Sequence, residues 1–260
     1  MPSLQDMPKL TAYLTQADLA IHGQTWLQKD LNNKQSSVEM FTQTETAAFT
    51  VLFDVAVARA LAAMLGNIPL VTYTKRIAET YADIPQIKRE MDALIPPQSN
   101  CVELGEVRIV GAVRSQQFDV TYRPDGVRFV LDTETLNGAD SIRKNWQNMI
   151  NDLSTEATNV HSRFPHAVSA FIVVIPAPAI RAPQRAAISE SLDRLGRRLR
   201  VDDPVYMAEA VSFVLWDPAT GTIDANVPPQ GSPLRIEQFS ARIASAYSIR
   251  YKGLPPHIEE

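Results

Sequence analysis

Apolar residues recur at helical spacing along the first part of this chain, which predicts a helical beginning to the fold. Helices are expected over residues 8–32 (broken at His22-Gly23), 44–65 and 74–94. The second helix is the clearest, because it is rich in Ala and Leu and is followed by Gly66-Asn67-Ile68-Pro69, a sequence that ends helices. Residues 1–43 are accordingly interpreted as a helical N-terminal extension.

The pattern changes after Pro96-Pro97, where β-branched residues become frequent and apolar and polar positions alternate. Three successive antiparallel strands are predicted, over residues 102–113, 117–123 and 127–135. The last two strands are joined through Arg123-Pro124-Asp125-Gly126, in which proline presets φ and glycine accepts a positive φ. The Pro-Asp pair is therefore interpreted as part of a turn.

Strands and helices alternate in the last part of the chain. Helices are predicted over residues 141–164, 183–199 and 234–247, and strands over residues 167–175 and 208–216. The first of these strands, AVSAFIVVI, is apolar along almost its whole length, which is typical of a central strand buried on both faces. A meander followed by strand–helix–strand alternation predicts a single α/β domain over residues 1–260, with a mixed central sheet flanked by helices.

Composition and charge narrow the class of protein. Of the 260 residues, 45% are hydrophobic and 21% charged, as in ordinary globular proteins. The net charge of −4 and the pI of about 5.6 argue against a strongly basic protein that coats nucleic acid, but they are compatible with a locally basic cleft. Cys101 is the single cysteine, which excludes an internal disulfide and a cysteine-based zinc cluster. The first residues do not resemble a signal peptide, and Asp54 and Arg59 interrupt the most apolar segment, so a cytoplasmic protein is expected.

Two carboxylates stand near the end of the third predicted strand, at Asp132 and Glu134. Because strand side chains alternate between faces, both lie on the same face and close together. Carboxylates held that close repel each other unless a positive group lies between them. A divalent cation is the usual group, and metal-assisted attack of water on a phosphate is the usual chemistry. The simpler interpretation is an exposed pair on an edge strand.

The order helix, three-strand meander, helix, strand resembles the core of the PD-(D/E)xK nuclease superfamily. In that superfamily an acid on the second strand and an acid-x-lysine triplet on the third strand bind the metal and activate water. Asp119 stands at the place of the first acid, and Asp132-Thr133-Glu134 at the place of the triplet. The chain also resembles a subset of type II restriction endonucleases, through Ser141-Ile142-Arg143-Lys144-Asn145, Asn148 and Val174-Ile175-Pro176.

This resemblance implies a restriction-endonuclease-like fold and a Mg²⁺-dependent, sequence-specific endonuclease that cleaves double-stranded DNA as a homodimer. It makes Asp119 and Asp132 metal ligands and Glu134 a ligand or a general base. Glu134 departs from the family, since lysine is usual at its place, and Lys144 is the candidate for the missing ammonium group. A catalytically inactive relative that binds DNA or serves in assembly is the alternative, and an unrelated α/β protein with surface acids is the third possibility.

The face on which Asp119 lies depends on the length of the connection between its strand and the next. A loop of two or four residues places Asp119 on the same face as Asp132 and Glu134, whereas a three-residue loop turns it away unless a bulge restores the register. Glu45, at the start of the long helix, is a further candidate for a metal contact. An acid that complements the helix dipole is the competing interpretation of Glu45.

Candidate DNA contacts lie on two predicted helices. Lys144, Asn145 and Asn148 follow the triplet, where an ammonium group and amides could bind phosphates or base edges. Arg194 and Arg198 belong to the most basic stretch of the chain and are candidates for contacts with the DNA backbone. The simpler interpretation of both groups is a solvated helix surface.

Overall fold

The computed structural model describes residues 2–32, 43–72 and 100–257. Its helices are α1 (Gln16–Asn32), α2 (Gln43–Met64), α3 (Ala139–His161), α4 (Ala182–Leu195) and α5 (Ile236–Tyr251). Its strands are β1 (Leu70–Thr72), β2 (Val102–Val110), β3 (Ser115–Tyr122), β4 (Phe129–Thr135), β5 (Val168–Pro176), β6 (Ala210–Asp217) and β7 (Thr222–Ile223). The helix predicted over residues 74–94 lies outside the described residues.

The described strands form one mixed sheet whose spatial order follows the chain, from β1 to β7. Strands β2, β3 and β4 are an antiparallel meander. Strands β4, β5 and β6 are parallel, and the connections between them pass through α3 and α4 because parallel neighbours need a crossover. The predicted α/β class, with a mixed sheet flanked by helices, is confirmed.

Helices cover both faces of the sheet, and β5 shows this most clearly. All nine residues of β5 are buried. Ile172 belongs to a hydrophobic cluster with residues of α2 and α5, whereas Phe171 and Val173 belong to a second cluster with residues of α3 and α4. The continuous apolar run is therefore explained by burial on both faces, as predicted from the sequence.

Strand β3 separates from β4 partway along its length. The two strands pair only at Val120↔Leu131, Thr121↔Val130 and Tyr122↔Phe129. The earlier part of β3 stays paired with β2, and the register of that pair shifts between Leu104 and Val107. The β2–β3 hairpin then bends over the end of α3, where the N–H of Ala112 donates to the carbonyl oxygen of Asn159 at 2.9 Å. An opening between β3 and β4 therefore faces α3.

Two helices differ from their predicted extent. Helix α1 runs without a break through His22-Gly23. Gly23 is required there by close approach, because a Cβ would lie 1.9 Å from the carbonyl oxygen of Pro218. Helix α4 ends at Leu195, with Gly196 as its C-cap, so the arginines that follow it do not lie on a helix as predicted.

Candidate active site

Asp119 and Asp132 occupy facing positions directly beyond the last pair of the β3–β4 ladder. The last pair is Val120↔Leu131, so the two acids are the next residues of their strands, and their carboxyls lie close enough to share a hydrogen bond. The connection between the paired ends comprises residues 123–128, an even number, so the register of the ladder assigns both residues to one face. In place of a ladder bond, Oδ2 of Asp119 accepts a hydrogen bond from the N–H of Thr133 at 2.9 Å.

Helix α3 adds Glu156, a residue that sequence reasoning missed. Its side chain is buried, and its Oε1 accepts a hydrogen bond from Nε2 of Gln116 at 2.8 Å. Its Oε2 is also buried and receives no hydrogen bond from a donor among the described residues. The Glu156 carboxyl meets that of Asp132, which in turn meets that of Asp119. A proton or a cation is therefore needed between these oxygens.

Desolvation and mutual repulsion raise the pKa values of Asp132, Glu134 and Glu156. The pKa of Asp132 lies well above its usual range because of burial first and then the negative charge of Asp119. Burial, followed by the charges of Asp119 and Asp152, raises the pKa of Glu134 to about 7. Burial and the charge of Glu134 raise the pKa of Glu156 to about 7 as well. The cluster therefore retains protons near neutral pH, and a cation would displace them.

Asp54 approaches the same part of β4 from the opposite face of the sheet. It lies in α2 with only 3% of its surface exposed, next to the side chain of Thr133. Asp54 Oδ1 and Thr133 Oγ1 are both buried without a hydrogen-bond partner among the described residues. Burial and then the charge of Asp119 raise the pKa of Asp54 well above its usual range. In the sequence, a carboxylate inside a long apolar helix was the signal that could have identified Asp54 as part of the site.

Two other candidate acids have cationic partners. Glu45 forms an ion pair with Lys29 of α1, so it joins two helices rather than serving only to complement a dipole. The sequence also carries Glu103 on β2, which is buried and accepts a hydrogen bond from Nε of Arg123 at 2.6 Å. Each of these two acids is therefore neutralised by a cation of the fold, whereas the acids around Asp132 lie next to one another.

The candidate DNA contacts on α3 lie apart from the carboxylates. Lys144, Asn145 and Asn148 are exposed on the helix surface. Lys144 precedes Asp152, the exposed acid that raises the pKa of Glu134, by eight residues, or about 12 Å along a helix. No contact joins Lys144 to the acids within the described ranges. Its predicted role as a charge-stabilising group is therefore not supported by proximity, although its exposure suits a DNA contact.

The prediction that Arg198 contacts DNA is wrong. Arg198 is buried, and its guanidinium donates to Oε1 of Glu209 at 2.6 Å and to the carbonyl oxygens of Pro165 and Val201 at 3.2 and 2.7 Å. These bonds and the burial of the side chain, which is 1% exposed, keep the guanidinium away from a phosphate at the surface. Arg194 is exposed but forms an ion pair with Glu190 one turn away, which partly neutralises that surface of α4.

The carboxylate cluster suits a hard divalent cation in its donor set. Asp119, Asp132, Glu134 and Glu156 offer only carboxylate oxygens, the ligands that Mg²⁺ prefers, and no described residue donates to the buried Oε2 of Glu156. Within residues 2–32, 43–72 and 100–257, however, no three His, Cys, Asp or Glu side chains are arranged as a metal centre. The residues therefore fit a cation by their chemistry, and binding would require the carboxyls to turn from one another towards the ion.

Comparison of the chain with protein-family models, with curated proteins and with solved structures finds no match. None of the helices in the described part of the chain has both the length and the apolar character that a membrane span requires. Function is therefore inferred from the carboxylate cluster.

Proposed function

We propose that this protein is a Mg²⁺-dependent endonuclease that hydrolyses phosphodiester bonds in double-stranded DNA. The observation that supports it best is the line of carboxyls from Asp119 through Asp132 to Glu156, in which Oε2 of Glu156 is buried without a donor. A fold that only needed stability would avoid such a site, because burying unpaired carboxylates destabilises the folded state. Retained acids with raised pKa values are typical of functional sites.

Each acid has a distinct role in this proposal. Asp119 and Asp132 would hold Mg²⁺, with Glu156 as a further ligand. Bound Mg²⁺ supplies Lewis acidity and lowers the pKa of coordinated water. Glu134, with a pKa of about 7, is suited to accept the proton of the attacking water near neutral pH, since a general base works best when its pKa is close to the operating pH. A carboxylate at this position can therefore accept the proton of the attacking water without the lysine that is usual in the superfamily.

Sequence-specific cleavage by a homodimer, as in type II restriction endonucleases, is the finer form of the proposal. It is supported by the order of α2, the meander, α3 and β5, and by the resemblance around Ser141-Ile142-Arg143-Lys144-Asn145. The exposed amides of Asn145 and Asn148 on α3 are suited to hydrogen-bond base edges. A two-fold symmetric dimer would match a palindromic site.

Cleavage of supercoiled plasmid and genomic DNA, with Mg²⁺ or with EDTA, tests the proposal. The native chain should cut only with Mg²⁺, and discrete fragments would support sequence specificity. Asp132→Asn should lower the rate by at least about 10³-fold, because a metal contributes several kcal/mol to stabilisation of the transition state. Asp140→Asn, which alters a partly exposed acid at the start of α3, is the matched control and should cut normally.

Cutting in excess EDTA, or full activity in Asp132→Asn, would contradict the mechanism. A native chain that binds duplex DNA with no cleavage under any divalent cation would instead favour the inactive DNA-binding module.

A further inference from the structure

The β2–β3 turn, residues 111–114, is held tightly against Asn159 near the end of α3. The N–H groups of Val113 and Arg114 donate to Oδ1 of Asn159 at 2.9 and 3.2 Å, and Nδ2 of Asn159 donates to the carbonyl oxygen of Arg114 at 2.9 Å. Gly111 lies against the same side chain, since a Cβ there would be 2.2 Å from Nδ2 of Asn159. The conformation of the turn is therefore fixed by one buried side chain.

The side chains that this turn presents to solvent are not used by the fold. Val113 is 88% exposed although it is apolar, and Arg114 is exposed beside it. A turn that is held rigidly but buries neither of these side chains gains little stability from them. Such a rigid, exposed pair is suited to contact a partner, because little conformational freedom is lost on binding.

Arg114 stands next to the carboxylate cluster. Its backbone is bonded to Asn159, one turn of α3 away from Glu156, and Gln116, two residues further on, donates to Oε1 of Glu156 at 2.8 Å. The guanidinium of Arg114 brings a positive charge to the edge of this group of acids. The side of the cluster next to the turn is therefore the side at which an anion meets the least repulsion.

We propose that Arg114 binds a phosphate of the DNA next to the carboxylate cluster, and that Val113 packs against the sugar and base of the adjoining nucleotide. This inference rests on the proposed endonuclease function. The DNA backbone is repelled by a group of acids, and a guanidinium held in place at their edge offsets that repulsion. Guanidinium groups bind phosphate oxygens in a bidentate manner, so a fixed Arg114 would also set the position of the strand relative to Asp132.

Binding of a fluorescent duplex, measured by anisotropy over a range of salt concentrations, tests this contact. The measurement is made in the Asp132→Asn background, where the DNA should stay intact, with Mg²⁺ present. Arg114→Ala should weaken binding about tenfold and reduce the slope of log K against log[salt] by about 0.9, the value for one phosphate contact. Arg114→Lys should keep the slope and recover part of the affinity. Arg200→Ala, at an exposed arginine that is paired with Asp202, is the control and should change neither quantity.

Val113 is tested in the same assay. Val113→Ser should weaken binding several-fold without altering the salt slope, because it removes an apolar contact and no charge. Ile249→Ser, at an isoleucine of α5 that is 76% exposed, is the control and should bind like the parent. Thermal unfolding should show equal stability in all of these variants, since both positions of the turn are exposed.

The outcomes separate this inference from the proposed function. If the native chain cleaves DNA with Mg²⁺ but Arg114→Ala binds and cuts as the native chain does, the turn is not a DNA contact and the endonuclease proposal stands. If the native chain binds DNA through Arg114 but never cuts it, the endonuclease proposal fails and the contact stands. A native chain that neither binds nor cuts duplex DNA overturns both.

Discussion

Oδ2 of Asp119 accepts the backbone N–H of Thr133 at 2.9 Å, so a side chain joins β3 to β4 at the point where their ladder ends. This bond has two consequences. It holds the Asp119 carboxyl beside Asp132, its neighbour in the interrupted register. It also satisfies an N–H group that the separation of the strands would otherwise leave without a partner. The separation of the two strands and the bond that holds Asp119 beside Asp132 thus arise from the same departure of β3.

Asp54→Asn should stabilise the protein at alkaline pH. The pKa of Asp54 is raised well above its usual range, so ionisation of this carboxyl opposes folding as the pH rises. An asparagine stays neutral and keeps a polar group beside the side chain of Thr133. The melting temperature of Asp54→Asn should exceed that of the native chain at about pH 9 and approach it at about pH 5. Equal melting temperatures at every pH would show that Asp54 is not buried as described.

Divalent cations should stabilise the protein most at alkaline pH. The pKa values of Glu134 and Glu156 are raised from 4.5 to about 7, so their contribution to stability is full below pH 4.5 and is lost as the pH rises towards 7. A cation removes that loss by binding the ionised carboxyls. Saturating Mn²⁺ should raise the melting temperature by on the order of 5 °C at about pH 8 and hardly at all at about pH 5.

Asp132→Asn is the control for the cation experiment. It removes a proposed ligand and one repelling charge, so it should raise the melting temperature of the metal-free protein at alkaline pH and abolish the response to Mn²⁺. Equal stabilisation of the native and variant proteins by Mn²⁺ would place the cation elsewhere.

Five of the seven described strands could be predicted because their signals are local, whereas β1 and β7, with three and two residues, are too short to show a period. Burial on both faces produces the apolar run of β5, and alternation produces the meander. The shared face of Asp119 and Asp132 could be stated only as a condition, since it depends on the length of the connection over residues 123–128. The alternation of side chains along one strand can be predicted from the sequence. Whether residues of two strands share a face depends on how the strands pair, which local sequence does not specify.

The remaining residues of the site depend on contacts that sequence periodicity does not specify. Glu156 lies on the buried stripe of α3 that also contains Leu153 and Val160, and an acid on such a stripe was the signal that could have found it. Arg198 was misassigned because its partner, Glu209, lies eleven residues away across a loop, and because Gly196 had already ended the helix. Charge density in a sequence does not distinguish a buried arginine from an exposed one.

Glu209→Gln should destabilise the fold strongly, which distinguishes this acid from those of the cluster. Glu209 is buried and accepts hydrogen bonds from Arg198, Arg250 and the N–H of Ser169 at 2.6, 2.8 and 2.7 Å. Removing its charge leaves buried guanidinium groups unpaired, at about 3–5 kcal/mol. Chemical denaturation should show this loss, whereas Glu190→Gln, at an exposed ion pair, should change stability by less than about 1 kcal/mol.

The contribution of Glu209 has the opposite pH dependence to that of Glu134 and Glu156. Burial would raise the pKa of Glu209, but its contacts with His161, Arg250 and Arg198 outweigh burial and lower the pKa from 4.5 to about 2. The contribution of Glu209 is therefore full above pH 4.5 and is lost as the pH falls towards 2. Glu209→Gln should therefore show a smaller loss of stability on acidification than the native chain. A parallel loss in both proteins would mean that Glu209 is not held by these cations.

Glu134→Gln should leave the fold and metal binding largely intact while removing the proposed general base. The rate of DNA cleavage should fall about 10²–10⁴-fold, with little change in KM. With the native chain the rate should rise with pH up to about 7, the pKa of Glu134, and that dependence should disappear in the variant. Glu134→Lys restores the triplet usual in the nuclease superfamily and introduces a cation where the base stood. A faster enzyme in that variant would show that charge stabilisation limits the reaction and that Glu134 is not its base.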